Sequence, residues 1–163
     1  MFIFREGFVN RIIFFIAMSI FVASIISQFM LEKQPCQLCL ITRYLFLSLV
    51  ILTLLAKWKK ILLPVGALIT LAFTFYHLGV ENHWWPGTPG CVSELHSLNS
   101  TPMDSKTPVC DSVNWTVLGL SSTLWGVLSA SFIFWFSSTS YLINYYLRKF
   151  KETHSSNVIK LFL

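Results

Sequence analysis

From residue 12 to residue 31 the chain runs for 20 residues without a charged side chain. Wound into an α-helix at about 1.5 Å per residue, such a run reaches roughly 30 Å, the thickness of the hydrocarbon core of a bilayer. Three more stretches follow the same pattern. Residues 40–56 carry Arg43 as their one charge, residues 61–80 contain Pro64 and His77, and residues 122–144 are charge-free. With 55% hydrophobic residues, 12% charged residues and a mean hydropathy of +0.65, little is left over for a soluble core. Backbone groups in lipid must bond to each other, which four separate apolar runs achieve as helices. The expectation is an all-α membrane protein, a four-transmembrane-helix bundle forming one domain over residues 1–163.

Arg5 and Arg11 ahead of the first run would also suit a cleaved signal peptide. The run is longer than a usual signal core and no A-x-A site follows it, so it is read as a retained span. The Lys and Arg residues set the orientation. Arg5, Arg11, Lys57, Lys59, Lys60, Arg148, Lys149, Lys151 and Lys160 fall on one side, against Lys33 and Lys106 on the other. Both termini are therefore expected in the cytoplasm, with residues 32–39 and 81–121 on the opposite face. The net charge of +5 is explained by these flanks and forms no basic stripe for nucleic acid.

All four cysteines, Cys36, Cys39, Cys91 and Cys110, belong to the segments on that opposite face. An even count in an oxidising space allows two disulfides in three connectivities. Cys36 and Cys39 form a C-x-x-C at the mouth of the second span, and Arg43 follows Cys39 by one helical turn. A cation at i+4 and a nearby helix N-terminus both favour a thiolate, so a reactive Cys39 beside Arg43 is expected. Cys91 and Cys110 lie 19 positions apart in a long loop that holds four of the six prolines. A bridge between them would constrain the unfolded chain by roughly 3 kcal/mol, and Cys91 is followed by a segment, residues 92–98, that suits a short interfacial helix.

Ionisable residues inside spans are expensive and mark function. Arg43 alone reads as a snorkelling side chain and His77 alone as a packing residue. Together they sit near the same membrane surface as the C-x-x-C. Two dithiols facing an oxidising space exchange electrons by thiol-disulfide exchange, and those electrons need an acceptor. The chain has no G-x-G-x-x-G, and Leu40 after Cys39 rules out a C-x-x-C-H haem motif. A lipid-soluble quinone held by Arg43 and His77 is the economical acceptor.

The segment Pro35-Cys36-Gln37-Leu38-Cys39 with Arg43, the run Tyr76 to Glu81, Trp85-Pro86-Gly87 before Cys91, Pro108-Val109-Cys110-Asp111, and Leu118-Gly119-Leu120 together resemble the DsbB family of bacterial inner-membrane proteins. The resemblance covers nearly the whole chain, including the cysteine order. It implies that the loop lies in the periplasm and that Cys91 is attacked by a reduced DsbA-like thioredoxin-fold oxidase, with Cys110 as its loop partner. It further implies that Cys36 exchanges with the loop pair and that Cys39 faces ubiquinone or menaquinone. Two other readings stay open at this point. One is a metal site made from the cysteines with His83 and His96. The other is a membrane scaffold whose disulfides are structural. Trp84 and Trp85 read as interfacial anchors, and His83, His96 and His154 as surface residues.

Overall fold

A computed structural model describes residues 6–31, 35–55, 61–87, 110, 113 and 116–161, with side chains up to residue 151. The elements are α1 (Glu6–Leu31), α2 (Gln37–Leu55), α3 (Leu62–Glu81), a hairpin of β1 (Thr116–Val117) and β2 (Leu120–Ser121), and α4 (Ser122–Leu161). Among the described residues, all four helices are long and apolar enough to cross a membrane. Their main contacts run α1–α2, α2–α3, α3–α4 and α4–α1, so the bundle closes into a ring of antiparallel neighbours.

Two of the helices, α1 and α4, overrun the apolar runs. A charge ends a hydrocarbon span without ending a helix, so α1 includes Glu6 and Arg11, and α4 continues past Arg148 and Lys149 to Leu161. The tail beyond Lys151 is therefore a continuation of α4 as far as Leu161. Its 40 residues reach about 60 Å, twice the thickness of the core. Pro64 falls in the first turn of α3, where a missing N–H costs little.

Val9, Ile13 and Ala17 of α1, Phe46, Leu49 and Val50 of α2, Leu63 and Ala67 of α3, and Ala130 and Ile133 of α4 form the buried core. Small residues let the helices approach. A Cβ on Gly66 would lie 2.6 Å from Leu52 Cδ1, so α3 meets α2 at this residue. Hydroxyls within the spans are satisfied locally. Thr42 donates to Leu38 O at 2.9 Å, Thr70 to Gly66 O at 2.9 Å and Thr74 to Thr70 O at 2.9 Å. These bonds remove the penalty of an unpaired polar group in lipid.

The end of α3 is built with particular care. The Trp84 N–H reaches Gly79 O at 2.8 Å and the His83 N–H reaches Val80 O at 3.1 Å, while His83 takes φ of 57°. That is a Schellman motif with His in the left-handed position where Gly is usual. The turn folds Trp85 back onto α3. Its Nε1–H donates to Tyr76 O at 3.1 Å, and its ring stacks on Tyr76 with 6.0 Å between centroids. Gly79 makes this possible, because a Cβ there would overlap the Trp85 indole.

The hairpin between α3 and α4 was not anticipated. Thr116 pairs with Ser121 and Val117 with Leu120, and both turn residues, Leu118 and Gly119, have positive φ. Such a turn matches the twist of a two-residue hairpin. The Trp125 Nε1–H donates to Val117 O at 3.1 Å and holds the hairpin to α4. Ser121 Oγ accepts the Leu124 N–H at 3.2 Å and caps that helix.

Candidate functional site

The C-terminal end of α1, the N-terminal end of α2, the C-terminal end of α3 and the N-terminal end of α4 meet at one end of the ring, and Cys36, Cys39, Arg43, His77 and Cys110 gather there. Cys36 stands just before α2, and its sulfur accepts the Cys39 N–H at 3.3 Å while its carbonyl accepts the Leu40 N–H at 3.1 Å. Cys36 is thus the N-cap of α2, with a sulfur in the place of the usual hydroxyl or carboxylate. Cys39, one turn on, places its sulfur 2.7 Å from that of Cys36. His77 is buried in α3, and its Nε2 lies 3.8 Å from each sulfur.

This surrounding favours the ionised form of Cys36. The Cys39 thiol donating to it is the largest influence, and His77 and the Cys39 N–H act in the same direction. Burial opposes them, and the balance pulls Cys36 down from 9.0 to about 5. The sequence pointed instead to a thiolate at Cys39 beside Arg43. The difference comes from where Arg43 goes. Its Nη1 donates to Gln28 Oε1 at 2.8 Å and its Nη2 to Ser24 O at 2.9 Å, so the guanidinium is tied to α1. Its Nε is buried and has no hydrogen-bond partner.

Arg43, Cys39 and His77 do share one feature, a cavity of about 310 Å³ between the four helices and the hairpin. Its walls are largely apolar, with Ile20, Phe46 and Trp125 among them, and Ser24 and Gln28 add polar groups from α1. A pocket of this size with few polar groups suits a small apolar ligand carrying hydrogen-bond acceptors. Arg43, at the border of that cavity, keeps N–H donors that Gln28 and Ser24 do not use.

Cys110 is buried and disulfide-bonded. It belongs to a cluster with Cys36, Leu38 and Val80, against which Cys39, Ile41, Tyr76 and Trp85 pack. A cysteine from the long loop is therefore lodged beside the C-x-x-C. Cys91, His96 and the expected helix over residues 92–98 lie outside the described residues. His83 is exposed on the turn after α3, remote in role from the sulfur cluster. Cys36, Cys39 and His77 do offer three metal-type ligand atoms within 4.8 Å of one another. Two thiolates on one tetrahedral zinc, at about 2.3 Å each, stand about 3.7 Å apart. The sulfurs here stand 2.7 Å apart, closer than that spacing.

The family model of disulfide bond formation protein DsbB matches residues 7–139. The chain belongs to the DsbB family. The matched range takes in Cys36, Cys39, Arg43, His77, Cys91 and Cys110. The disulfide bond formation protein B of Azoarcus sp. (strain BH72) is 26% identical over 113 residues, covering 59% of this chain and 68% of that protein. No solved structure matches. As a member of the DsbB family, the chain is a multi-pass membrane protein of disulfide bond formation.

Sequence reasoning missed three parts of the site. Gln28 and Ser24 are neutral residues in an apolar run and carry no charge signal, although their spacing of four puts them on one helical face. Trp85, read as an interfacial anchor, packs against the sulfur cluster instead, while Trp84 is the exposed member of the pair. The hairpin brings Val117 to the cavity wall.

Proposed function

We propose that this protein reoxidises a periplasmic DsbA-like dithiol oxidase and delivers the two electrons to a membrane quinone, ubiquinone or menaquinone. The observation that carries the reading is the convergence of Cys36, Cys39, His77 and the loop residue Cys110 beside an apolar cavity bordered by Arg43. Positive-inside charge and the redox chemistry agree on a periplasmic location for this end of the bundle.

In this reading Cys91 is the bridge partner of Cys110. A thiolate of the reduced partner attacks Cys91 Sγ, forming a mixed disulfide and releasing Cys110 as a thiolate. The partner's second thiol then displaces Cys91 and leaves as a disulfide, so its two electrons now reside on Cys91 and Cys110. Cys110, already packed with Cys36, attacks that sulfur when Cys36 and Cys39 are bridged, and Cys39 is released. Resolution by Cys91 restores the loop disulfide and leaves Cys36 and Cys39 as the reduced pair. When bound, a quinone supplies a two-electron, two-proton acceptor. Arg43 and His77 would hold its oxygens, Arg43 with the donors that α1 leaves free, and His77 at a distance from both sulfurs that suits moving a proton between the thiols and the cavity. The apolar walls keep water from that exchange.

Stopped-flow absorbance of the quinone, with purified protein in detergent and reduced DsbA-like partner as donor, tests the proposal. Quinone reduction should depend on all four cysteines and vanish in Cys39→Ser. Unimpaired turnover by Cys39→Ser would sink it.

A further inference from the structure

Within the proposed quinone reading, the unexplained feature of the cavity is the polar pair on α1. A guanidinium has five N–H donors in a rigid fork. In this structure Gln28 Oε1 takes one from Nη1 at 2.8 Å and Ser24 O takes one from Nη2 at 2.9 Å. Nε–H remains buried and unpaired. Gln28 and Ser24 are separated by one helical turn, so the two acceptors form a bracket on one face of α1 that matches the two tips of the fork. All three residues border the same cavity.

Arg43 sits on a long side chain with several rotatable bonds. Without the bracket it would lose its fixed direction and, within an apolar span, would turn toward the membrane surface. Ser24 contributes only a backbone carbonyl, which no side-chain change can remove. Gln28 is the one side chain that decides how the fork is turned. We propose that Gln28 is a positioning residue of the quinone site. By accepting from Nη1 it holds the guanidinium against α1, and the fork keeps one further N–H on each of Nη1 and Nη2 for a quinone oxygen.

Two substitutions separate an acceptor role from mere volume. Gln28→Met keeps the size of the side chain and removes the acceptor, whereas Gln28→Glu keeps an acceptor in the same place. Equilibrium binding of a short-chain ubiquinone, read by quenching of tryptophan fluorescence in a Cys39→Ser background that cannot turn over, gives a readout apart from activity. In Gln28→Met the dissociation constant should rise about tenfold or more, the loss expected of a hydrogen bond to a charged group. Gln28→Glu should bind within about threefold of the parent. In the active background, KM for the quinone should rise in Gln28→Met with kcat changed far less. Parent-like binding by Gln28→Met would overturn the proposal, as would equal losses in Gln28→Met and Gln28→Glu. Absence of quinone binding by the parent would fail the quinone reading itself, a separate result from either.

Discussion

Gly79→Ala adds one methyl group to α3 at the point where the Trp85 indole crosses the helix. The added Cβ would overlap the ring, and the ring is rigid, so Trp85 must leave its seat. Leaving costs the Nε1–H bond to Tyr76 O, about 1 kcal/mol, and the stacking on Tyr76, about another 1 kcal/mol. Loss of contact with the sulfur cluster adds roughly 1 kcal/mol, on the scale of one or two buried methylenes. Alanine returns about 1 kcal/mol as the better helix former. The net destabilisation is about 2 kcal/mol, measured by chemical denaturation in detergent with tryptophan fluorescence as signal. A double-mutant cycle isolates the cause. In a Trp85→Ala background the same substitution should be neutral or stabilising by up to about 1 kcal/mol, because the ring is no longer there to be displaced. An equal cost of Gly79→Ala in both backgrounds would refute the assignment of Trp85 as the neighbour that requires glycine.

The ionisation of Cys36 predicts a pH dependence in the reduced protein. Its folded value, about 5, lies below the ordinary 9.0, so the stabilisation is fully present above 9.0, shrinks as pH falls, and is gone once pH drops through about 5. Thermal unfolding across that window should show the slope in the reduced protein and lose it in Cys36→Ala. Arg43→Ala should raise the quinone KM at least about tenfold, and Arg43→Lys should not restore it, since an ammonium cannot span both Gln28 and Ser24; steady-state kinetics distinguish the two. At the hairpin tip, Leu118 adopts φ of 53° while 88% exposed, so Leu118→Asn should stabilise the turn by about 1 kcal/mol and slow amide exchange in the hairpin.

The four helices were legible because a charge-free run of bilayer length has few other solutions. Their ends were not, since Arg11 and Lys149 leave the hydrocarbon while the helix goes on. That Arg43, His77 and the C-x-x-C come together at one end of the bundle follows from counting residues along each helix. What counting cannot supply is direction. Arg43 lies one turn after Cys39, yet it reaches across to α1, because Gln28 and Ser24 O offer paired acceptors that a sulfur at i−4 does not match. Trp85 was misplaced for a similar reason. Its burial depends on the Schellman turn and on Gly79, and His83 in the left-handed position gives no signal that a Gly would have given.

In the proposed reaction the cap of α2 is also one of the reacting groups. As a thiolate, Cys36 accepts the Cys39 N–H and completes the first turn; once bridged, the same sulfur carries no charge and is a poor acceptor. Redox state and helix stability are therefore two readings of one equilibrium. Whatever the first turn of α2 gains from a charged cap favours the reduced pair, and a pair whose reduced form is favoured pulls electrons harder. The helix end thus favours the step that loads electrons onto the C-x-x-C, and the step that unloads them gives the same amount back.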